Sequence, residues 1–564
     1  MKERIIYLLA SCLLPFMACS DTNDDGKDTY IRKELPAMDG IRIAWDYNSM
    51  HQFANSGGYP RLRRLQDQSL VAVYDKQGTS ELVRSYNNGL TWSAPITTFD
   101  QFTYTNELGK KTLVNIANSE VFQLVNGDIL VGCNYRPTQD EIAPYCIAIR
   151  RSTNNGASWH KAQVLYDAAP RFTDGCWEPA FLQLPNGELQ VYFANENPFQ
   201  QSDEQEIAML SSQDNGKTWT SQPKRVSFRG GRRDGMPVPV LLNDEIVVSI
   251  EDNNIDAFKP YTVRTKITDN WATPVLANSP QREYASAQKV PDIVYQGAPY
   301  LMKLPTGETL ISYQTTENRS ANWELSTMEV AIGNAEARNF DRRTQPFHVP
   351  VNKEAKWNSL TLWDETTVVA LASTNFQSAD VAPWMIKGHI IPQLIIKEKN
   401  ISQYPLFVGA KGATQLKAGI GIDNDYLYLN CLVADNTPYT KADNSMQADG
   451  VYIYIDVQNT SIASPDKGVY KLWCNSKGNA QLWEGDKGSW VSISAAKVQI
   501  VANQTDEGYS LALAIPKSIT GTWNAKAIRL GLALSAYQSE SVSYIEPLAN
   551  TILDASHTWI KLNF

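Results

Sequence analysis

Leu184-Pro185-Asn186-Gly187, followed at once by Leu189-Gln190-Val191-Tyr192-Phe193, is a tight turn running into an apolar strand, and the chain repeats it six times. The other turns are Leu65-Gln66-Asp67-Gln68, Leu124-Val125-Asn126-Gly127, Leu242-Asn243-Asp244-Glu245, Leu304-Pro305-Thr306-Gly307 and Leu362-Trp363-Asp364-Glu365. The strands behind them are Leu70 to Tyr74, Ile129 to Cys133, Ile246 to Ile250, Thr309 to Tyr313 and Thr367 to Leu371. Successive turns are 58–62 residues apart. A repeat of this length, with several short strands in each unit, reads as a propeller blade of four strands around a channel. The expected fold is therefore all-β, a six-bladed β-propeller over residues 40–394.

Three of the repeats carry a second mark: Ser85-x-Asn87-x-Gly89-x-Thr91-Trp92, Ser152-x-Asn154-x-Gly156-x-Ser158-Trp159 and Ser212-x-Asp214-x-Gly216-x-Thr218-Trp219. The Asn or Asp accepts hydrogen bonds from its own turn, Gly supplies the left-handed backbone, and Trp packs the turn on its blade. The pattern resembles the Asp-box of the sialidase superfamily. It speaks for fold rather than chemistry, because such boxes hold turns on blade edges.

Beyond residue 394 the repeat stops, and a short charged connector leads to a second all-β unit over residues 400–564. Asp425 to Val433, Gly450 to Val457 and Tyr509 to Pro516 alternate cleanly, as strands with one buried face do. They suggest a β-sandwich. Its Asp449-Gly-Val-Tyr-Ile-Tyr-Ile-Asp456 strand resembles family 9 carbohydrate-binding modules, and Trp473, Trp483 and Trp490 are candidates for a sugar-stacking platform, at least one of them core.

Composition narrows the partners. The chain has 564 residues and a net charge of −9, which argues against nucleic acid or a membrane surface as ligand. Its 15 Trp and 26 Tyr suit strands and sugar-stacking surfaces alike. Lys2 and Arg4 precede an apolar run from Ile5 to Met17, so residues 1–19 read as a secretory signal. Cys19 after Ala18 resembles a bacterial lipoprotein site, with Cys19 as the lipidated residue. Residues 20–39, opening Ser20-Asp21-Thr22-Asn23-Asp24-Asp25, read as a polar tether. The expectation is an outer-membrane or cell-surface lipoprotein held by that anchor, a monomer, with plain periplasmic secretion as the alternative. Cys133, Cys146, Cys176, Cys431 and Cys474 show no metal-ligand spacing, and no metal or cofactor is implied. A Cys133–Cys146 bridge and buried free thiols both fit.

The turn register also selects candidate site residues. Seven positions before the fourth turn residue stand Arg61, Glu120 and Tyr300, on inner strands of three blades. Two positions nearer the rim in the third blade stands Glu178, in Gly175-Cys176-Trp177-Glu178-Pro179, on the same face by strict alternation. In the fourth blade the strand Val247-Val248-Ser249-Ile250 runs into Glu251-Asp252. A carboxylate ending an apolar strand is unfavourable unless paired or functional. Two carboxylates on one rim suit glycoside hydrolysis, one as acid and the other as nucleophile or base.

Tyr59-Pro60-Arg61-Leu62, Trp177-Glu178-Pro179, Asp234-Gly235-Met236-Pro237 with Glu251, and Gly297-Ala298-Pro299-Tyr300 resemble glycoside hydrolase family 93, sialidase-fold exo-arabinanases. The resemblance covers the propeller and implies a retaining enzyme on arabinan, releasing arabinobiose, with Glu178 as acid/base and Glu251 as nucleophile. Bland readings stand beside each assignment. Glu178 could be salt-bridged to Arg171 or Arg61, and Asp252 could replace Glu251. Arg61 could bind hydroxyls or form a structural ion pair; Trp177 and Tyr300 could stack on sugar or line the core. Glu120 is a candidate for raising the acid's pKa. The competing functions are an exo-sialidase, which needs three arginines and a nucleophilic Tyr, and a non-catalytic glycan-binding lipoprotein.

Overall fold

The structure, a computed structural model, describes residues 30–409, 414–437, 439, 446–539 and 542–564. The signal segment, Cys19 and the start of the tether lie outside the described residues.

Six antiparallel sheets form the propeller. The inner strands are Gly58–Arg64, Lys111–Gln123, Cys176–Gln183, Asp234–Leu242, Gln296–Lys303 and Ala355–Asp364. Each turn found in the sequence joins an inner strand to the second strand of its blade. Second strands such as Leu189–Asn195, Thr309–Thr315 and Thr367–Thr374 are buried along their whole length, because blades pack on both of their faces. That explains their unbroken apolar runs. In the three Asp-boxes the Ser hydroxyl accepts from the Gly N–H at 2.7–2.8 Å, and Asn or Asp accepts from the Thr or Ser N–H at 2.9 Å.

The sixth blade closes the ring with a strand from the other end of the propeller. Arg42–Gln52 pairs antiparallel with Ala382–Ile391 as its outermost strand. The first and last parts of the ring are thus joined by ladder hydrogen bonds.

The C-terminal unit stacks an eight-stranded sheet on a five-stranded one. Val451, Ile453, Ile455 and Leu472 from one sheet meet Leu429, Cys431, Leu511 and Leu513 from the other. On the outer face Trp473 is 1 % exposed and belongs to the core, whereas half-buried Trp483 and Trp490 flank the Lys471 ammonium at 4.7 Å each. The charged connector is not loose: Leu394–Ile395 pairs with the final strand, and the backbone at Lys399 and Gln403 lies against Gly421 and Gly419.

The segment expected to be a free tether is docked from Tyr30 onward. Leu35 N–H donates to the Ser461 carbonyl and Met38 N–H to that of His557, and Asp39 pairs with Arg529 at 2.9 Å. Arg42, fully buried, donates to the Ala549 and Thr558 carbonyls, joining the two units. The five cysteines are all free and buried, so Cys133 and Cys146 are not bridged.

Candidate active site

Every inner strand kinks at the same place. Tyr59, Asn118, Glu178, Met236, Ala298 and Trp357 all have φ of 51–54°, and the ladder register breaks there in all six blades. Left-handed backbone at a non-glycine residue is unfavourable by about 1–3 kcal/mol and persists only where the surroundings enforce it. Four of the six are followed by Pro, which bulges accommodate.

The enforcement comes from the blade before. Ser373 Oγ accepts from Tyr59 N–H at 2.8 Å, Asp75 from Asn118 N–H at 2.7 Å, Glu251 from Ala298 N–H at 2.7 Å, and Gln314 from Trp357 N–H at 2.8 Å. Each acceptor ends a second strand. In the third blade that position is Ala194, opposite Trp177, and cannot accept. Glu178 supplies the carboxylate instead, taking the Met236 N–H. Both sequence-selected glutamates therefore belong to one ring of cross-blade hydrogen bonds at the channel mouth.

Both are half-buried and electrostatically abnormal. Burial pushes Glu178 up to about 7; Arg136 opposes, and the negative charge of Glu251 adds to the rise. Burial likewise pushes Glu251 up to about 7, against the Ala298 N–H and Arg233, which favour its ionised form. Such a pair can keep one carboxyl protonated near neutrality while its neighbour is an anion.

The competing assignments separate cleanly. Asp252 is fully buried in a cluster with Arg229, Arg282 and Asp234, Arg282 bonding it at 2.7 Å. Arg171 pairs with Asp174 at 2.6 Å, and Arg61 with Glu120 at 3.1 Å, so neither bridges Glu178.

Arg61, Glu120 and Tyr300 do not share a face with Glu178. The alternation that put them together assumes an unbroken strand, and the bulge intervenes: Glu120 pairs with Gly132 just past the bulge, and the corresponding position in the third blade is Ala180, paired with Tyr192. Glu120 is held by Arg61 and Arg63, and Arg63 also donates to the Tyr300 hydroxyl at 2.9 Å. Glu120 is thus not what raises the acid. With Arg63, Glu120 and Tyr300 line a cavity of about 990 Å³ in the turn half of the channel, and neither Glu178 nor Glu251 lines it. Trp177, 6 % exposed, packs on Tyr145 and Phe172 and donates to Glu196 at 3.1 Å, which makes it support beneath the site.

Sequence reasoning missed several neighbours. Arg136 lies over the Trp177 ring at 4.9 Å and donates to Asn118. Arg233 is held by Glu196, by Asp203 at 2.6 Å and by Gln205 at 2.5 Å. The Tyr295 hydroxyl accepts from Gln314 at 2.9 Å and sits over Gly297. Met236 and Trp357 were legible in principle, standing at the bulge position of their own blades.

Two segments of the chain match family models: residues 42–233 match the BNR repeat-like domain, and residues 403–544 the carbohydrate family 9 binding domain-like family. No curated protein matches the chain. Among solved structures it is similar to an α-L-arabinofuranosidase of Fusarium graminearum, with 15 % identity over 62 % of this chain and 97 % of that one, TM-score 0.45. An α-L-arabinanase of Penicillium chrysogenum gives 16 %, 64 %, 98 % and 0.42, and the NanB sialidase of Streptococcus pneumoniae 12 %, 59 %, 68 % and 0.43. The protein is a six-bladed β-propeller, matched in its first part by the BNR repeat-like model, followed by a β-sandwich matched by the carbohydrate family 9 binding domain-like model.

Proposed function

We propose that the propeller is a retaining, exo-acting glycoside hydrolase on plant-type polysaccharide, an exo-α-1,5-L-arabinanase that releases arabinobiose. The observation carrying this reading is the pair Glu178 and Glu251, electrostatic neighbours at one channel mouth and both raised to about 7. Glu178, whose proton is favoured by the adjacent anion, protonates the glycosidic oxygen. Glu251, whose ionised form accepts the Ala298 N–H, attacks the anomeric carbon and forms a glycosyl ester. Glu178, now a carboxylate, takes a proton from water, which attacks the same carbon and releases Glu251. The sugar itself is carried by resemblance in Trp177-Glu178-Pro179 and its companion motifs.

A sialidase is the second reading, favoured by Tyr295 next to Glu251. Against it, burial and that carboxylate push the phenol well above its ordinary pKa, and Arg61 is engaged by Glu120. A catalytically inactive glycan-binding protein is the third. Around the catalytic unit we propose a lipid anchor at Cys19, a cell-surface location and a monomeric state. Digestion of linear α-1,5-arabinan and of a sialoside, with product analysis, separates the readings. Arabinobiose supports the first, sialic acid the second, and no product from either glycan the third.

A further inference from the structure

One side of the channel mouth is aromatic from the floor to solvent. Tyr295 stands at its base, so close over Gly297 that a Cβ there would meet the phenol oxygen at 2.2 Å. The next residue, Ala298, makes the hydrogen bond to Glu251. Gln314 ties the wall together, donating to the Tyr295 hydroxyl at 2.9 Å and accepting from Trp357 N–H at 2.8 Å. Trp323 bridges the two, its ring centroid 6.2 Å from Tyr295 and 6.1 Å from Trp357.

Trp323 is 42 % exposed, although indoles are ordinarily well buried. Its support is nonetheless rigid. Asn322 caps the short turn by accepting from Glu324 N–H at 3.1 Å, and Arg319 holds the Leu325 and Val349 carbonyls. Lys356 lies 4.8 Å from the ring, with its charge answered by Glu324 and Glu354. A large apolar ring held open to water on a fixed support has its ordering entropy already spent, which favours binding. Its setting beside a polar, carboxylate-bearing channel fits the apolar face of a sugar ring with hydroxyls around its edge.

We propose that Tyr295, Trp323 and Trp357 form a glycan-binding wall that holds the sugar units to be released. The choice of side rests on the hydrolase reading: the leaving group departs on the side of the acid Glu178, so residues beside Glu251 touch the glycone. Calorimetric titration of the full chain carrying Glu251→Gln tests it, with linear α-1,5-arabinotriose as one probe and 3′-sialyllactose as the other. Adding Trp323→Ala should weaken binding of the accepted probe about tenfold, and Trp323→Phe should restore it to within about threefold. Equal affinity with and without Trp323, or no binding of either probe, would overturn the wall. Trp323-dependent binding by a chain whose wild-type form cleaves neither glycan would instead refute the hydrolase and leave the wall standing.

Discussion

Replacing Glu251 by Gln should make the protein more stable while abolishing its activity, and the gain should depend on pH in a defined way. The native carboxyl is raised to about 7 from its ordinary 4.5, chiefly by burial. Below about pH 4.5 it is protonated in both folded and unfolded chains and contributes nothing. Between about pH 4.5 and 7 the unfolded chain ionises first, so the folded state loses ground as pH rises. Above 7 the full penalty is present: at about 1.4 kcal/mol per unit it amounts to about 3 kcal/mol. Gln removes the charge but keeps an oxygen for the Ala298 N–H, so no buried donor is orphaned. Calorimetry at pH 8 should show the propeller transition of Glu251→Gln raised by roughly 4 °C. At pH 4 the difference should vanish. An increment independent of pH, or a loss of stability at pH 8, would refute the claim that Glu251 is held in a desolvated, charge-hostile site.

Other residues give sharper local tests. Arg233 favours the ionised forms of both glutamates, so Arg233→Met should move both limbs of the pH–rate profile to higher pH, by about one unit; an unmoved profile would remove Arg233 from the site's electrostatics. Asp75 accepts from the Asn118 and Ser119 N–H groups, so Asp75→Ala should destabilise by about 1–3 kcal/mol in denaturant titration. Arg282 is the shared partner of buried Asp234 and Asp252. Its replacement by Leu should cost about 3–5 kcal/mol of stability, whereas a neutral effect would show that the cluster protonates instead.

The repeat was legible because blades must bury second strands on both faces, which writes an apolar run after every turn. The same register marks Glu178, since the left-handed position recurs at the turn spacing. Glu251 was visible as a carboxylate ending an apolar strand. What failed was the inference that Arg61, Glu120 and Tyr300 share the strand face of Glu178: a bulge leaves no trace in residue alternation, and here it falls between them and Glu178. Nor does spacing reveal Arg136, Arg233 or Tyr295, which reach the site from different strands and loops only when the ring has closed. That closure depends on Arg42–Gln52, a strand outside the repeat. Trp177 looked like a sugar-stacking residue by type, but its indole N–H is taken by Glu196 from a neighbouring loop.

The central claim is that Glu178 and Glu251 act as a catalytic pair. Turnover of linear α-1,5-arabinan, measured side by side for the wild type, Glu178→Gln and Glu251→Gln, tests it most directly. The account predicts a fall of about 10³-fold in kcat for each variant, with both folded as judged by their thermal transitions. A variant retaining near-wild-type turnover would contradict it, leaving that glutamate with only its cross-blade hydrogen bond.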